Sequence, residues 1–230
     1  MGKRILEIGC GYDSFFHDFK PGTARIIAVD SMPVFLELAK FTYQSLPGQG
    51  KVEFRHEDAS RLPFGNEEFD EVIARHLYSA PSIYVKLKGA SPEQWVKEDA
   101  HFSEMSEAQQ HDYLREHEGK WLEELRQITK EAHRVLKPGG RLTLVHDSGR
   151  VPEDHSIKMQ TRNRIRNVME GQKGFSQTIE KLDSTNLAKI EEVLGYQFRE
   201  ESEMLAHLRG QRESGIKSTV DIHVFQKMMK

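Results

Sequence analysis

Four residues near the start of the chain have the types and spacing for ligand chemistry: Glu7, Gly9, Gly11 and Asp13 in "LEIGCGYD". Glycines two apart after an apolar run allow a tight turn and a close approach of backbone to ligand. In a dinucleotide fold such a turn feeds a helix whose N-terminus holds a pyrophosphate. Here the third glycine of that pattern is missing, Ser14 stands in its place, and Asp13 is expected to cap the helix instead. A carboxylate there competes for the same amide donors and repels phosphate, and Glu7 adds a second negative group. The turn suits an ammonium or sulfonium better than a diphosphate. Asp30 follows ~20 residues later, at the end of a second apolar run, where a carboxylate takes two ribose hydroxyls.

A nucleoside with a cationic tail and no pyrophosphate fits these acids, and S-adenosylmethionine is such a molecule. Three stretches resemble the class I S-adenosylmethionine-dependent methyltransferases, and most of all their ubiquinone and menaquinone biosynthesis branch. They are "LEIGCGYD", "HEDASRLPFGNEEFDEVIA" and "EAHRVLKPGGRLTLV", in order within residues 4–147. The resemblance implies that Glu7, Gly9 and Gly11 cradle the methionine part, with Asp13 where a third glycine is usual. It implies that Asp30 binds the ribose, that Ser31 and Met32 line the adenine, and that Asp58 and Ala59 hold its edge, Asp58 at the exocyclic amine. Arg75 would lie near the sulfonium. Family members usually carry a helix before the first strand, whereas here the strand begins near residue 4.

His76 and Tyr78 follow the fourth strand, and ligands of open α/β sheets sit at the carboxyl ends of strands. His76 is the candidate general base and Tyr78 the residue that orients the acceptor; the alternative for His76 is a packed or surface histidine in a chain with 11 of them. His146 and Asp147 end the fifth strand and are candidates for the acceptor side, with Tyr84 from the following insertion. No third convergent ligand is evident, so no metal is expected. Cys10 reads as a small buried residue.

The elements that must position these groups alternate between strand and helix. "RILEIG", "ARIIAVD", "KVEFRHED", "FDEVIARHLY" and "RLTLVHD" read as strands, and "TVDIHVFQKMM" as a last one. "MPVFLELAKFTYQSL" reads as a helix with its apolar side at Phe35, Leu38, Ala39 and Thr42. Residues 79–120 read as a helical insertion, a lid over the acceptor, with helix starts at Ser91-Pro92 and Ser106. Gly119 is a candidate interruption of the second helix and "KPGG" its stop. Residues 148–182 read as a polar, partly basic helical region, and a sixth strand is expected after Gly195. The expected fold is a single α/β domain over residues 1–230, a Rossmann-like doubly wound sheet of seven strands, parallel except for the last.

Bulk composition narrows the function classes. The 230 residues carry a formal charge of −3, which makes no global electrostatic case for nucleic acid. Lys158, Arg162, Arg164 and Arg166 cluster, but without interleaved aromatics. A single cysteine excludes an internal disulfide and a cysteine-based metal cluster. No membrane span or signal peptide is read, so a cytoplasmic setting is expected. The expected function is methyl transfer to an oxygen, nitrogen or carbon of a small molecule. The alternatives are an RNA or protein methyltransferase of the same fold, a non-catalytic S-adenosylmethionine binder, and a nicotinamide-dependent oxidoreductase that Asp13 argues against. A homodimer is an arrangement this architecture allows.

Overall fold

The computed structural model describes residues 2–12, 14–20, 22, 24–44, 52–75, 91–147, 168, 174–183, 187–194, 196–197 and 219–229. Among these, seven strands form one sheet in the order β3-β2-β1-β4-β5-β7-β6. The strands are β1 (Arg4–Ile8), β2 (Arg25–Asp30), β3 (Val52–His56), β4 (Phe69–Arg75), β5 (Leu136–Asp147), β6 (Phe175–Asp183) and β7 (Thr219–Lys227). The helices are α1 (Phe15–Asp18), α2 (Pro33–Gln44), α3 (Pro92–Glu104), α4 (Glu107–Val135) and α5 (Leu187–Leu194). Strands β1 to β5 pair in parallel, and β7 runs against both β5 and β6. The last strand alone is therefore reversed.

Both faces of the sheet are covered, which is why its central strands are apolar without alternation. Leu6, Ile8, Ile27, Val29, Val72, Leu142 and Leu144 face Leu125, Ile128, Ala132 and Val135 of α4. Their neighbours Ile5, Ile26, Ile73, Val145 and Ile222 face Phe15, Phe16 and Phe19, together with Tyr43, Ile190 and Leu194. Truncating one such fully buried side chain, Leu125→Ala for example, removes about 2–5 kcal/mol. The edge strand β3 is only half-buried, and its exposed Glu53 pairs with the half-buried Arg55 along the strand.

The two capping boxes form as the sequence implies. Ser91 with Gln94, and Ser106 with Gln109, exchange side-chain and backbone hydrogen bonds at the starts of α3 and α4. Five sequence expectations need correction. Ser14, not Asp13, caps α1, its hydroxyl accepting from the Phe16 amide. The buried side of α2 is Leu36, Ala39 and Tyr43, so Leu38 and Phe41 point outward at 49% and 75% exposure; sheet packing sets the helix phase, and the surplus of apolar residues hid it. Gly119 does not interrupt α4, which runs 29 residues, because an open helical glycine costs only ~1 kcal/mol against the packing of its other turns.

"KPGG" does not separate helix from strand: α4 ends at Val135, and its C-cap Leu136 already pairs with Phe69. The residues between form an irregularity in β5, with Glu71 next in register opposite Arg141. Gly139 takes φ 76° there, and a Cβ on Gly140 would lie 2.9 Å from the Lys137 carbonyl and 3.1 Å from that of Asp70. Finally, β6 occupies Phe175–Asp183, overlapping the 148–182 region read as helical; of the strand expected after Gly195, Tyr196 and Gln197 are not strand and the rest lies outside the described residues. Its sequence, "FSQTIEKLD", is too polar to announce a strand at an edge.

Candidate cofactor site

β1 delivers Glu7 and the glycine turn to the carboxyl edge of the sheet. Gly9 and Gly11 take φ 63° and 58°, a region that costs side-chain-bearing residues ~1–2 kcal/mol. The turn is pinned to β2 by the Cys10 amide on the Val29 carbonyl at 3.1 Å. Asp30, at the end of β2, completes it: one carboxylate oxygen accepts from the Gly11 amide and the other from Met32, each at 2.8 Å. Burial raises the Asp30 pKa above its ordinary value, against the lowering effect of those amides.

Glu7 is fully enclosed. Its Oε1 accepts from the Phe15 amide at 2.6 Å and its Oε2 from the Ser14 hydroxyl at 2.5 Å. Desolvation pushes its pKa up from 4.5 to about 7. Together Glu7 and Ser14 take up the Phe15 and Phe16 amides at the start of α1. Those are the donors a pyrophosphate would use in a dinucleotide site. Glu7 thus braces the turn from inside, and Asp30 is the carboxylate at its rim.

Arg75, at the end of β4, makes a buried ion pair with Asp18 of α1 and acts electrostatically on Glu7. Ser31 is half-buried and Met32 buried, beside the first turn of α2. The His56 Nε2–H donates to the Ser31 carbonyl at 3.0 Å, linking the ends of β2 and β3. Past β3, Asp58 Oδ1 accepts from the Ser60 amide at 2.8 Å and from its hydroxyl at 2.7 Å, and Ala59 is buried. The structure therefore brings Glu7, Gly9, Gly11, Asp30, Ser31, Met32, Asp58, Ala59 and Arg75 to the carboxyl ends of β1 to β4. Asp13, His76, Tyr78 and Tyr84 lie outside the described residues, as do the side chains of His146 and Asp147; the backbone of those two ends β5.

Sequence reasoning missed Tyr12 and Phe35. They meet edge to face at 5.8 Å, with Tyr12 56% exposed on the glycine turn. An aromatic inside a glycine turn was the available signal. It also missed Glu131 and Arg134 of α4, which hold the segment after Asp58. Among the described residues no group of three metal-ligating side chains forms.

Fold and site define the class first: a Rossmann-like α/β domain whose helix-start amides are taken by Glu7 and Ser14, with the Asp30 carboxylate at the rim of its glycine turn. Residues 5–86 match the family model described as a methyltransferase domain. Over that segment the chain is similar to methyltransferase domains. The chain is 39% identical over 82 residues to a phthiotriol/phenolphthiotriol dimycocerosates methyltransferase of Mycobacterium leprae, covering 34% of this chain and 29% of the relative. It is 34% identical over 71 residues to a demethylmenaquinone methyltransferase of Clavibacter sepedonicus, covering 31% and 28%. The match thus spans under a third of each relative's length. Among solved structures, TrmN from Thermus thermophilus is similar at TM-score 0.51 and 14% identity, over 99% of this chain and 44% of that one, a likeness of fold alone.

Proposed function

We propose that the protein transfers the methyl group of S-adenosylmethionine to an oxygen, nitrogen or carbon nucleophile of a small molecule. One observation carries the reading: the helix-start amides open to phosphate in a dinucleotide site are taken by Glu7 and Ser14, while Asp30 stands at the rim of the turn. The residues fit the cofactor. A carboxylate has about four acceptor positions, and Asp30, which accepts from the Gly11, Met32 and Ser31 backbones, keeps one for a ribose hydroxyl. Gly9 and Gly11 let the backbone approach the methionine part, Ser31 and Met32 line the adenine, and Asp58 and Ala59 receive its edge. Arg75 is neutralised by Asp18, so it does not set an unpaired positive charge against a sulfonium.

The bound cofactor supplies an already activated methyl group. The protein's remaining task is to align the acceptor and exclude water. His76 is assigned as the base where the acceptor must lose a proton, with Tyr78 orienting it, and Tyr84, His146 and Asp147 on the acceptor side. The insertion at 79–120 covers that side within a single domain spanning 1–230, in a cytoplasmic protein that pairs with itself and not with nucleic acid. Two facts support part of this: no helix among the described residues is long and apolar enough to cross a membrane, and the two curated relatives above are named for small-molecule methylation.

Calorimetry with S-adenosylhomocysteine and with NAD tests the proposal. Binding of the first and not the second is expected; binding of NAD alone would overturn it.

A further inference from the structure

Helix α4 does more than cover the sheet. Near its C-terminus Arg134 forms a bidentate pair with Glu131, Nε to Oε1 at 2.8 Å and Nη2 to Oε2 at 2.7 Å. The same guanidinium donates to two carbonyls of the segment after β3, Phe64 at 2.7 Å and Leu62 at 3.0 Å, and to Asn66 Oδ1 at 3.1 Å. Glu131 Oε2 in turn accepts from the Leu62 amide at 2.9 Å. The helix end continues the contact, with the Arg134 and Val135 carbonyls accepting from the Glu67 and Glu68 amides. One side-chain pair thus fixes both backbone groups of Leu62, four residues past Asp58. Between them the chain is closed by the Arg61 amide on the Asp58 carbonyl and by Ser60 on the Asp58 carboxylate. No slack remains between the clamp and that carboxylate.

We propose that Glu131 and Arg134 are positioning residues for the Asp58 loop and set how well the protein reads the exocyclic amine of the adenine. The inference rests on the cofactor reading above. The planar fork is what the site needs: five donors in fixed geometry serve a carboxylate and two carbonyls at once, which a lysine cannot do. Leu62 and Phe64 also bury against α4, so apolar packing holds the loop near its place but does not orient its peptide groups.

The test compares S-adenosylhomocysteine with S-inosylhomocysteine, which lacks the amine, on wild-type protein and on Arg134→Ala and Glu131→Gln. Wild type is expected to prefer the adenine form by about tenfold or more, the usual effect of a hydrogen bond to a charged group. In the variants the preference should fall to about twofold, chiefly through weaker binding of the adenine form. Arg134→Lys, which keeps charge and stem, replaces Arg134→Ala if the latter melts at assay temperature, and should show the same collapse. Equal weakening of both ligands would reduce the pair to a structural role and overturn the inference, as would an unchanged preference. A wild type that binds both ligands equally would also overturn it while leaving the cofactor reading intact. A wild type that binds neither would refute the cofactor reading itself.

Discussion

Glu7→Gln should remove a pH dependence that the wild-type protein carries. The Glu7 carboxyl is fully enclosed, and desolvation raises its pKa from 4.5 to about 7. Between those values the folded state holds a proton that the unfolded state has released. Stability therefore falls as pH rises through the window and levels off above about 7. At 1.36 kcal/mol per unit, the full effect is about 3 kcal/mol. Glutamine mimics the protonated form: its oxygen accepts from Phe15, and its amide donates to the Ser14 hydroxyl now at 2.5 Å from Glu7. The variant should match wild type below about pH 4 and exceed it by up to about 3 kcal/mol near pH 8. Urea unfolding at four pH values, followed by tryptophan fluorescence, measures both proteins. Other titrating groups cancel in the difference between the two curves. Parallel curves across the window would refute the reasoning.

Asp18→Asn leaves the buried Arg75 guanidinium without its counter-charge and should cost about 3–5 kcal/mol in urea unfolding, while Asp18→Leu with Arg75→Met should recover most of it; a loss under about 1 kcal/mol for the single variant would contradict the pairing. Asp30→Asn turns an amide –NH2 toward one of the two backbone donors, and calorimetry should show S-adenosylhomocysteine bound at least about tenfold more weakly, with wild-type affinity removing Asp30 from the site. Cys10 is 4% exposed and burial pushes its thiol pKa up, so the native protein should stay unmodified by a thiol reagent at pH 8 that labels it in urea; rapid native labelling would place it at the surface. Gly140→Ala forces a Cβ against two backbone carbonyls and should destabilise by about 1–3 kcal/mol in the same unfolding assay, whereas a neutral result would mean the β5 irregularity relaxes freely.

The sheet was legible because burial on both faces leaves runs such as "IIAV" with no polar residue to mask them. The glycine turn and Asp30 were legible because their chemistry lies in types and spacing. Helix phase was not: α2 has apolar residues on more than one side, and only the sheet chooses among them. β6 was missed since a strand at the sheet edge, with no partner beyond it among the described residues, needs no apolar run. The role of Glu7 could not be read either. The bonds of its two oxygens to Ser14 and Phe15 depend on how the turn folds back, which no local pattern encodes. The Glu131–Arg134 clamp joins residues 62–66 to a helix more than 60 positions away, a pairing that no local pattern encodes.

A crystal structure with S-adenosylhomocysteine is the most direct measurement of the central claim. The account expects the ribose hydroxyls on the Asp30 carboxylate and the adenine beside Asp58, with Glu7 still bonded to Ser14 and Phe15. A ligand seated away from Asp30, or Glu7 displaced by a phosphate at the start of α1, would contradict it.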